Sequence, residues 1–267
     1  CDSTHDDDTG ALAASMNGVV ATLGDTAYED GTSQELDDCF GGSWAAVKDR
    51  IRFAVTGNHD IHTDGGAPLQ AYMGSAAARD GRTWFSEDLG AWHVVVLDGN
   101  CGLAGHRCND GSEQGRWLRE DLAASNARCT LALLHQPRFS SGQHGGDRAV
   151  GPLWDALYVG GAELVLDGHD HDYERFAPQT PGGAADPARG LRQFVVGTGG
   201  ASLRGFSTIR TGSDTLNLGA ENGLIYPTPF VAQLIVNLSL GTAQSPYGGN
   251  FSLRGVENVI GTSQADR

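Results

Sequence analysis

The chain has 267 residues, 39% of them hydrophobic, with a formal net charge of −15. That size and apolar content fit one large α/β domain, or one domain with an appendage, and no stretch is long and apolar enough to span a membrane. The acidic surface repels nucleic-acid duplexes and anionic membranes; it repels a phosphate-bearing small molecule as well, unless metal ions reverse the sign locally.

Residues 1–10 are acidic and turn-rich, and the Asp6-Asp7-Asp8 run reads as a solvated turn. Residues 11–16 are expected to form a short helix. Val19-Val20-Ala21-Thr22-Leu23 is an apolar strand ending at Gly24-Asp25, and a Gly-rich loop carrying Tyr28 follows. Residues 43–50 read as a helical turn or two, with Trp44 and Val47 on one face. Residues 51–56 form a second strand, ending at Gly57-Asn58-His59-Asp60. A helix is expected over 67–78, then neighbouring strands at 83–86 and 92–97, joined through Leu89-Gly90. The second of these ends at Asp98-Gly99-Asn100. Residues 112–125 make an amphipathic helix with Ser112 as N-cap and Leu118 and Leu122 stacked at i, i+4. Residues 130–134 are a third buried strand, ending at His135-Gln136-Pro137, and 152–159 a helix stopped by Gly160. The strand at 163–167 leads into Gly168-His169-Asp170-His171-Asp172-Tyr173-Glu174-Arg175, and another strand at 193–196 follows. From Phe206 on, helix signals fade, and 215–218, 230–236, 237–240 and 256–262 read as strands between turns.

Polar groups stand just past the carboxyl ends of four strands: Asp25, Asn58 with His59, His135, and His169 with His171. Open α/β sheets hold ligand sites in that crevice. An extended backbone would send His169 and His171 to the same side. A carboxylate able to bridge cations, an amide oxygen, three imidazoles and the Tyr28 phenol suit Fe, Mn or Zn better than Ca or Cu(I), and are too many for one open tetrahedral site. Two ions about 3.5–4 Å apart would clamp a phosphoryl group and generate hydroxide at mild pH. His59 is placed to donate a proton or hold transition-state charge, Asp60 to orient it, and His144, in the loop 140–146, to reach over the pocket. His5, His62, His93 and His106 show no partner pattern and read as surface or core-edge residues; Arg138 and Arg204 are candidates for contact with phosphate, with ordinary surface pairing the leading reading. Of the five cysteines, Cys101 and Cys108 flank a Gly-rich loop suited to a small disulfide, Cys1 with Cys39 is a looser pairing, and Cys129 reads as a buried thiol. Two disulfides would suit an exported protein.

These residues resemble the calcineurin-like metallophosphoesterase superfamily, and most of all its purple acid phosphatase-type branch. Gly24-Asp25-Thr26-Ala27-Tyr28 resembles the GDxxY block, Gly57-Asn58-His59-Asp60 matches GNH(D/E), His135 in Leu134-His135-Gln136-Pro137 matches the single-histidine block, and residues 168–175 match GHxHxYER. The resemblance covers roughly residues 19–205. It implies an α/β fold of two packed mixed β-sheets flanked by helices, a four-layer αββα sandwich, with a dinuclear site between the sheets' loops. It also implies roles: Asp25 bridging two metals, Tyr28 and His171 on the first, Asn58, His135 and His169 on the second, and His59 assisting. His144 stands where the branch has substrate-facing histidines. The metals would be two divalent or trivalent ions (Fe with Zn, Mn or Fe), the substrate a small phosphate ester, the nucleophile a metal-bound hydroxide.

Two departures shape the expectation. The family's opening strand, whose aspartate ligates the first metal, is missing; Asp2, Asp6, Asp7 and Asp8 follow no apolar strand, which predicts that the natural precursor carries that strand upstream. Residues 1–205 are then the metallophosphoesterase domain, and 206–267 a β-rich segment that completes the second sheet or is an appended module. Within it, 214–218, 236–243 and 255–262 resemble segments preceding RTX-type β-roll repeats of secreted bacterial proteins. The Gly-Asp nonapeptides are absent, so no calcium site is expected. Asn237-Leu238-Ser239 and Asn250-Phe251-Ser252 match glycosylation acceptors. A secreted or periplasmic phosphoesterase is the leading expectation. The alternatives are a catalytically impaired binding protein of the same fold, and an adhesion module in which 206–267 carries the function.

Overall fold

In a computed structural model of the chain, the described residues are 5–103, 106–216, 233–237, 242–245, 249–252 and 259–262. The elements that position the site begin with α1 (His5–Ser15), β1 (Val20–Thr22), α2 (Ser33–Glu35), α3 (Gly41–Trp44), β2 (Ile51–Ala54) and α4 (Ala67–Met73). They continue with β3 (Phe85–Leu89), β4 (Trp92–Val96), α5 (Glu113–Ala124), β5 (Cys129–Leu133), α6 (Gly151–Val159), β6 (Leu164–Asp167), β7 (Tyr173–Phe176), β8 (Arg192–Val196) and β9 (Ser213–Leu216).

Seven strands form one mixed sheet in the order β3-β4-β5-β6-β8-β7-β9. Its centre, β4-β5-β6-β8, is parallel, and β3, β7 and β9 are added antiparallel. Both faces of that centre are covered, so these strands read as near-continuous apolar runs. Val95, Ala132, Val165 and Val195 share one cluster with Leu118 and Leu122 of α5 and Leu153, Trp154 and Leu157 of α6. The alternate residues Val94, Val96, Leu131, Leu133, Leu164, Leu166 and Phe194 meet Phe53 and Val55 at β2 and its end, with Ala21 and Leu23 packed against them. The second sheet, β1 paired parallel to β2, therefore lies on the first. Its outer side is covered in turn: Ala54 by Leu36 and Leu69, and Val20 by Ala13 and Val47. The order of layers is helix, sheet, sheet, helix. Leu133, at 1% exposure in the inter-sheet layer, is a position where truncation to Ala should cost roughly 2–5 kcal/mol.

Register sets the site. Val96 pairs with Leu133, Leu133 with Leu166, and Leu166 with Phe194, so the carboxyl ends of the four central strands stop in line. The loops after β1 and β2 reach the same edge from the second sheet.

Several expectations are corrected. The first helix begins at His5, because Asp6, Asp7 and Asp8 occupy its first turn, where carboxylates complement the exposed amides. The chain is helical from Ser33 through Arg50, passing through a π-helical turn (Leu36–Phe40) and a 3-10 turn (Ala45–Arg50). Thr32 and Glu35 start it as a capping box, a signal present in the sequence. Residues 173–176, for which no element is expected from the sequence, form the strand β7. β9 joins the main sheet beside β7. Beyond it β10 (Gln233–Asn237), β11 (Thr242–Ser245), β12 (Gly249–Ser252) and β13 (Val259–Thr262) form a four-stranded antiparallel sheet in the order β12-β11-β10-β13. The strand expected over 237–240 lies outside the described residues apart from Asn237, as do Asn217 and Leu218. Cys101 and Cys108 form the expected disulfide, with Cα atoms 5.4 Å apart. Cys1 is outside the described residues, and Cys129 opens β5 half-buried rather than buried. Among the described residues no helix is long and apolar enough to cross a membrane.

Candidate metal centre

The centre is assembled by turns that need unusual backbone. Asp25 and His169 both adopt left-handed conformations, φ 51° and 67°, at about 1–3 kcal/mol each for non-glycine residues. Neither sits in an extended strand. The segment after β6 is folded by two tight turns, with the Asp170 amide donating to the Gly168 carbonyl and the Asp172 amide to the Asp170 carbonyl, 2.8 Å each. His169 and His171 still face one cavity, but through these turns and not through the extended backbone expected. Gly57 is needed where the loops after β1 and β2 touch: a Cβ there would lie 2.2 Å from Asp25 Oδ1.

Asp60 holds those two loops together. Its carboxylate accepts from the amides of Gly57 (2.7 Å), Asp25 (2.9 Å) and Thr26 (3.0 Å), and it is fully buried. Burial first, and then the Asp25 charge, push its carboxyl up to about 6. Asp60 therefore does not orient His59. That ring is held through Nδ1 by the Glu29 carbonyl at 2.6 Å, with the Glu29 carboxylate at 3.4 Å and the Tyr28 ring 4.7 Å away.

The ligand atoms converge on His135. Its Nδ1 donates to the Leu23 carbonyl at 2.6 Å, which turns Nε2 inward. There Nε2 meets Asp25 Oδ2 at 3.1 Å, Asn58 Oδ1 at 3.2 Å and His169 Nδ1 at 3.2 Å. Ligand atoms of Asp25, His135 and His169 all lie within 4.8 Å of one another. Burial resists protonation of His135, but Asp25 outweighs it and raises the imidazole. Burial also opposes ionisation of Asp25, and His135 overrides it, holding the carboxyl below its usual range. His169 is pushed down to about 3, by burial and then by His135. A neutral His169, an amide oxygen and a carboxylate thus crowd one nitrogen, and a single proton on that nitrogen serves only one of them. A cation serves all four, so the donor set fits a metal ion.

A second group adjoins the first through Asp25. Tyr28 Oη lies 3.4 Å from Asp25 Oδ2 and 3.3 Å from His171 Nε2. His171 Nδ1 is anchored on the Ser202 carbonyl at 3.0 Å, so its other nitrogen faces the phenol. Burial, then the Asp25 charge, raise the Tyr28 hydroxyl; burial, then Arg204, lower His171. These groups line a cavity of about 150 Å³ whose wall includes Asp6, although the Asp6 carboxylate accepts from Ser43 Oγ at 3.0 Å. His144 stands beside His169, with the ring centroids 4.4 Å apart, its amide donating to Asp170 Oδ1 at 2.8 Å and its Nε2 accepting from Arg204.

Asp25, Tyr28, Asn58, His135, His169 and His171 are thus in one place, with His59 and His144 beside them. Sequence reasoning missed the residues that hold them. The Leu23 and Ser202 carbonyls carry no side-chain signal at all. Asn100, near the start of the loop after β4, donates to the carbonyls of Thr56 (3.1 Å) and Gly57 (3.4 Å) and accepts from Gln136 Nε2 (2.8 Å), bracing the loops that carry Asn58 and His135. Asp98 holds Asn100 and is itself held by Thr83 and His106, each at 2.7 Å. His62 and His93 also have acidic partners, Asp30 for the first, Asp88 and Asp121 for the second.

Sequence and fold are both similar to those of known proteins. Residues 10–173, more than half of the chain, match the calcineurin-like phosphoesterase family. Purple acid phosphatase 21 of Arabidopsis thaliana is 28% identical over 198 residues, covering 68% of this chain and 44% of the relative. Probable inactive purple acid phosphatase 27 of the same plant is 24% identical over 229 residues, covering 72% of this chain and 36% of the relative. The fold is similar to that of a purple acid phosphatase from yellow lupin seeds, with a TM-score of 0.67 at 20% identity over 79% of this chain and 42% of that one. It is also similar to GAP50, the anchor in the inner membrane complex of Plasmodium, with a TM-score of 0.57 at 14% identity over 81% and 74% of the two chains. The chain spans less than half the length of these curated phosphatase relatives. With its ligand-bearing loops inside the matched segment or at its edge, the chain belongs to the calcineurin-like phosphoesterase family.

Proposed function

We propose that this protein is a metal-dependent hydrolase of small phosphate esters with two metal ions bridged by Asp25. The observation that carries the reading is the crowding of Asp25, Asn58 and His169 around His135 Nε2, beside a second group, Tyr28 and His171, that shares only Asp25. Tyr28 and His171 would hold one ion, iron being the metal a phenol favours, and Asn58, His135 and His169 the other, which would be Zn, Mn or Fe. When bound, the ions would supply Lewis acidity toward the phosphoryl oxygens and lower the pKa of the attacking water. The residues do the rest. Leu23 and Ser202 fix the ring orientation of His135 and His171, and Asp60 and Asn100 keep their loops in register. His59, anchored through Nδ1, presents Nε2 to the phosphoryl oxygens or the leaving oxygen. In a chain with a net charge of −15, a metal-loaded centre would offer an anionic ester local positive charge on approach. The Cys101–Cys108 disulfide favours an oxidising compartment, secreted or periplasmic.

The test is Asp25→Asn. Wild type should bind two ions and hydrolyse an aryl phosphate, and the variant should lose both, by at least about 10³-fold in kcat/KM. Full turnover in the variant would sink the reading. A second reading, a binding protein of this fold with an impaired first metal site, draws on one observation: among the described residues only Asp25, Tyr28 and His171 serve that ion. Fewer than two ions per chain with no turnover would favour it.

A further inference from the structure

Arg204 is tied to the candidate centre through His171 and His144. Its amide donates to the His171 carbonyl at 2.8 Å, and His171 Nδ1 returns a bond to the Ser202 carbonyl at 3.0 Å, so the backbone of residues 202–204 is clasped to a metal-type ligand on two sides. Its guanidinium reaches across to His144 Nε2. Among the ion pairs of the described residues, Arg204 meets no carboxylate, in a chain where acidic residues outnumber basic ones 33 to 18. Its charge bears on His171 and on Tyr28.

The direction of the Arg204–His144 bond is fixed by chemistry. A guanidinium has donors and no acceptor, so Arg204 gives the hydrogen and His144 Nε2 supplies the lone pair. In this arrangement His144 Nε2 is taken up as an acceptor for Arg204 and has no hydrogen to give in that direction. A guanidinium steered by one bond and lacking a carboxylate retains further N–H groups suited to phosphoryl oxygens, which it can grip with two at once.

We propose that Arg204 is the residue of this chain that grips the phosphoryl group, and that His144 is its positioning residue rather than a proton donor. The inference rests on the phosphoesterase reading and deepens it. The leaving-group proton then falls to His59 or to water.

Metal-loaded wild type, Arg204→Ala, Arg204→Lys, His144→Gln and His144→Leu are compared by metal content, by titration calorimetry with inorganic phosphate, and by KM and kcat on an aryl phosphate. Arg204→Ala should keep its metal but bind inorganic phosphate about 10- to 100-fold more weakly, with KM rising in step. Added guanidinium chloride should restore part of that loss. Arg204→Lys should recover less than wild type, because an ammonium lacks the fork. His144→Gln keeps an acceptor for Arg204 and should stay within a few-fold of wild type in phosphate affinity and kcat, whereas His144→Leu should follow Arg204→Ala. Unchanged phosphate affinity and KM in Arg204→Ala would overturn the assignment. So would His144→Gln and His144→Leu losing kcat equally with KM unchanged, the result a proton donor gives. Phosphate binding that depends on Arg204 in a protein with no turnover would support the grip while removing the hydrolase reading. Wild type that holds metal yet neither binds phosphate nor turns over would remove both.

Discussion

Two buried histidines, His93 and His135, are each set against aspartate, and they are built for opposite ends. His93 places Nδ1 2.7 Å from Asp88 and Nε2 2.8 Å from Asp121, so both ring N–H groups have their own carboxylate and the imidazolium is complete. The Asp121 bond raises its pKa, against burial and with help from Asp88. His135 gives Nδ1 to a backbone carbonyl and then faces three lone pairs with one nitrogen. Exposure does not separate them, at 6% and 1%. The separation lies in lone pairs per proton. Where each nitrogen has one acceptor, the result is an ion pair; where acceptors outnumber protons, the cluster is poised for a cation of higher coordination.

The sharpest way to break that contrast is His135→Ala. It removes the nitrogen around which Asn58, Asp25 and His169 gather, and leaves Asp25 without the partner that keeps it ionised. The second ion should be lost, with affinity down by at least about 100-fold, and apo Asp25 should titrate at higher pH than in wild type. Metal analysis after dialysis reads the first effect and carboxyl NMR the second. Two ions retained at wild-type affinity would mean that His135 is structural, like His93.

Asp60→Asn is a smaller and more selective change. It leaves the ligands in place but points an amide nitrogen at one or more of the three N–H groups that Asp60 now satisfies. We expect metal affinity about 10- to 100-fold weaker, and stability lowered by about 1–3 kcal/mol, measured by urea unfolding of the metal-free protein. An effect on kcat alone, with metal affinity and stability unchanged, would restore Asp60 to the role of orienting His59.

Most side chains of the candidate centre could be grouped from the sequence because they follow strand ends, and strand ends in parallel sheets with matched register fall together. Asp25, Asn58, His135 and the His169–His171 pair needed only that rule. What could not be read was what holds them. The Leu23 and Ser202 carbonyls are backbone, and every residue has one. Asp60 stood inside a motif whose neighbours suggested a catalytic task, and only the three amides around it show a clasp. For Arg204 surface pairing ranked above contact with phosphate, because nothing local marks a residue whose partner, His144, lies 60 positions earlier. The same limit applied to the layers: apolar strands announced a sheet covered on both sides, while the helical run from Ser33 was hidden by its glycines, although Thr32 and Glu35 had marked its start.

The smallest expected effect tests the other side of the comparison. Replacing His93 with Gln keeps a hydrogen bond and removes the charge. Because the folded pKa of His93 is raised above its unfolded value near 6.5, the charged ring's contribution is fully present below that value and is lost as pH rises through the folded pKa. The stability gap between wild type and His93→Gln should therefore be widest below about pH 6.5 and narrow as pH rises through the raised folded pKa. Asp88 is largely solvent-exposed, which screens half of the pair and keeps the effect to about 1 kcal/mol, or about 2–4 °C in Tm for a chain of this size. His93→Gln should match wild type in metal content at each pH, since no lone pair at His93 is left over for a cation. A gap that is flat with pH would show that the ring is neutral between its two aspartates, and counting lone pairs against protons would then no longer tell the ion pair from the metal centre.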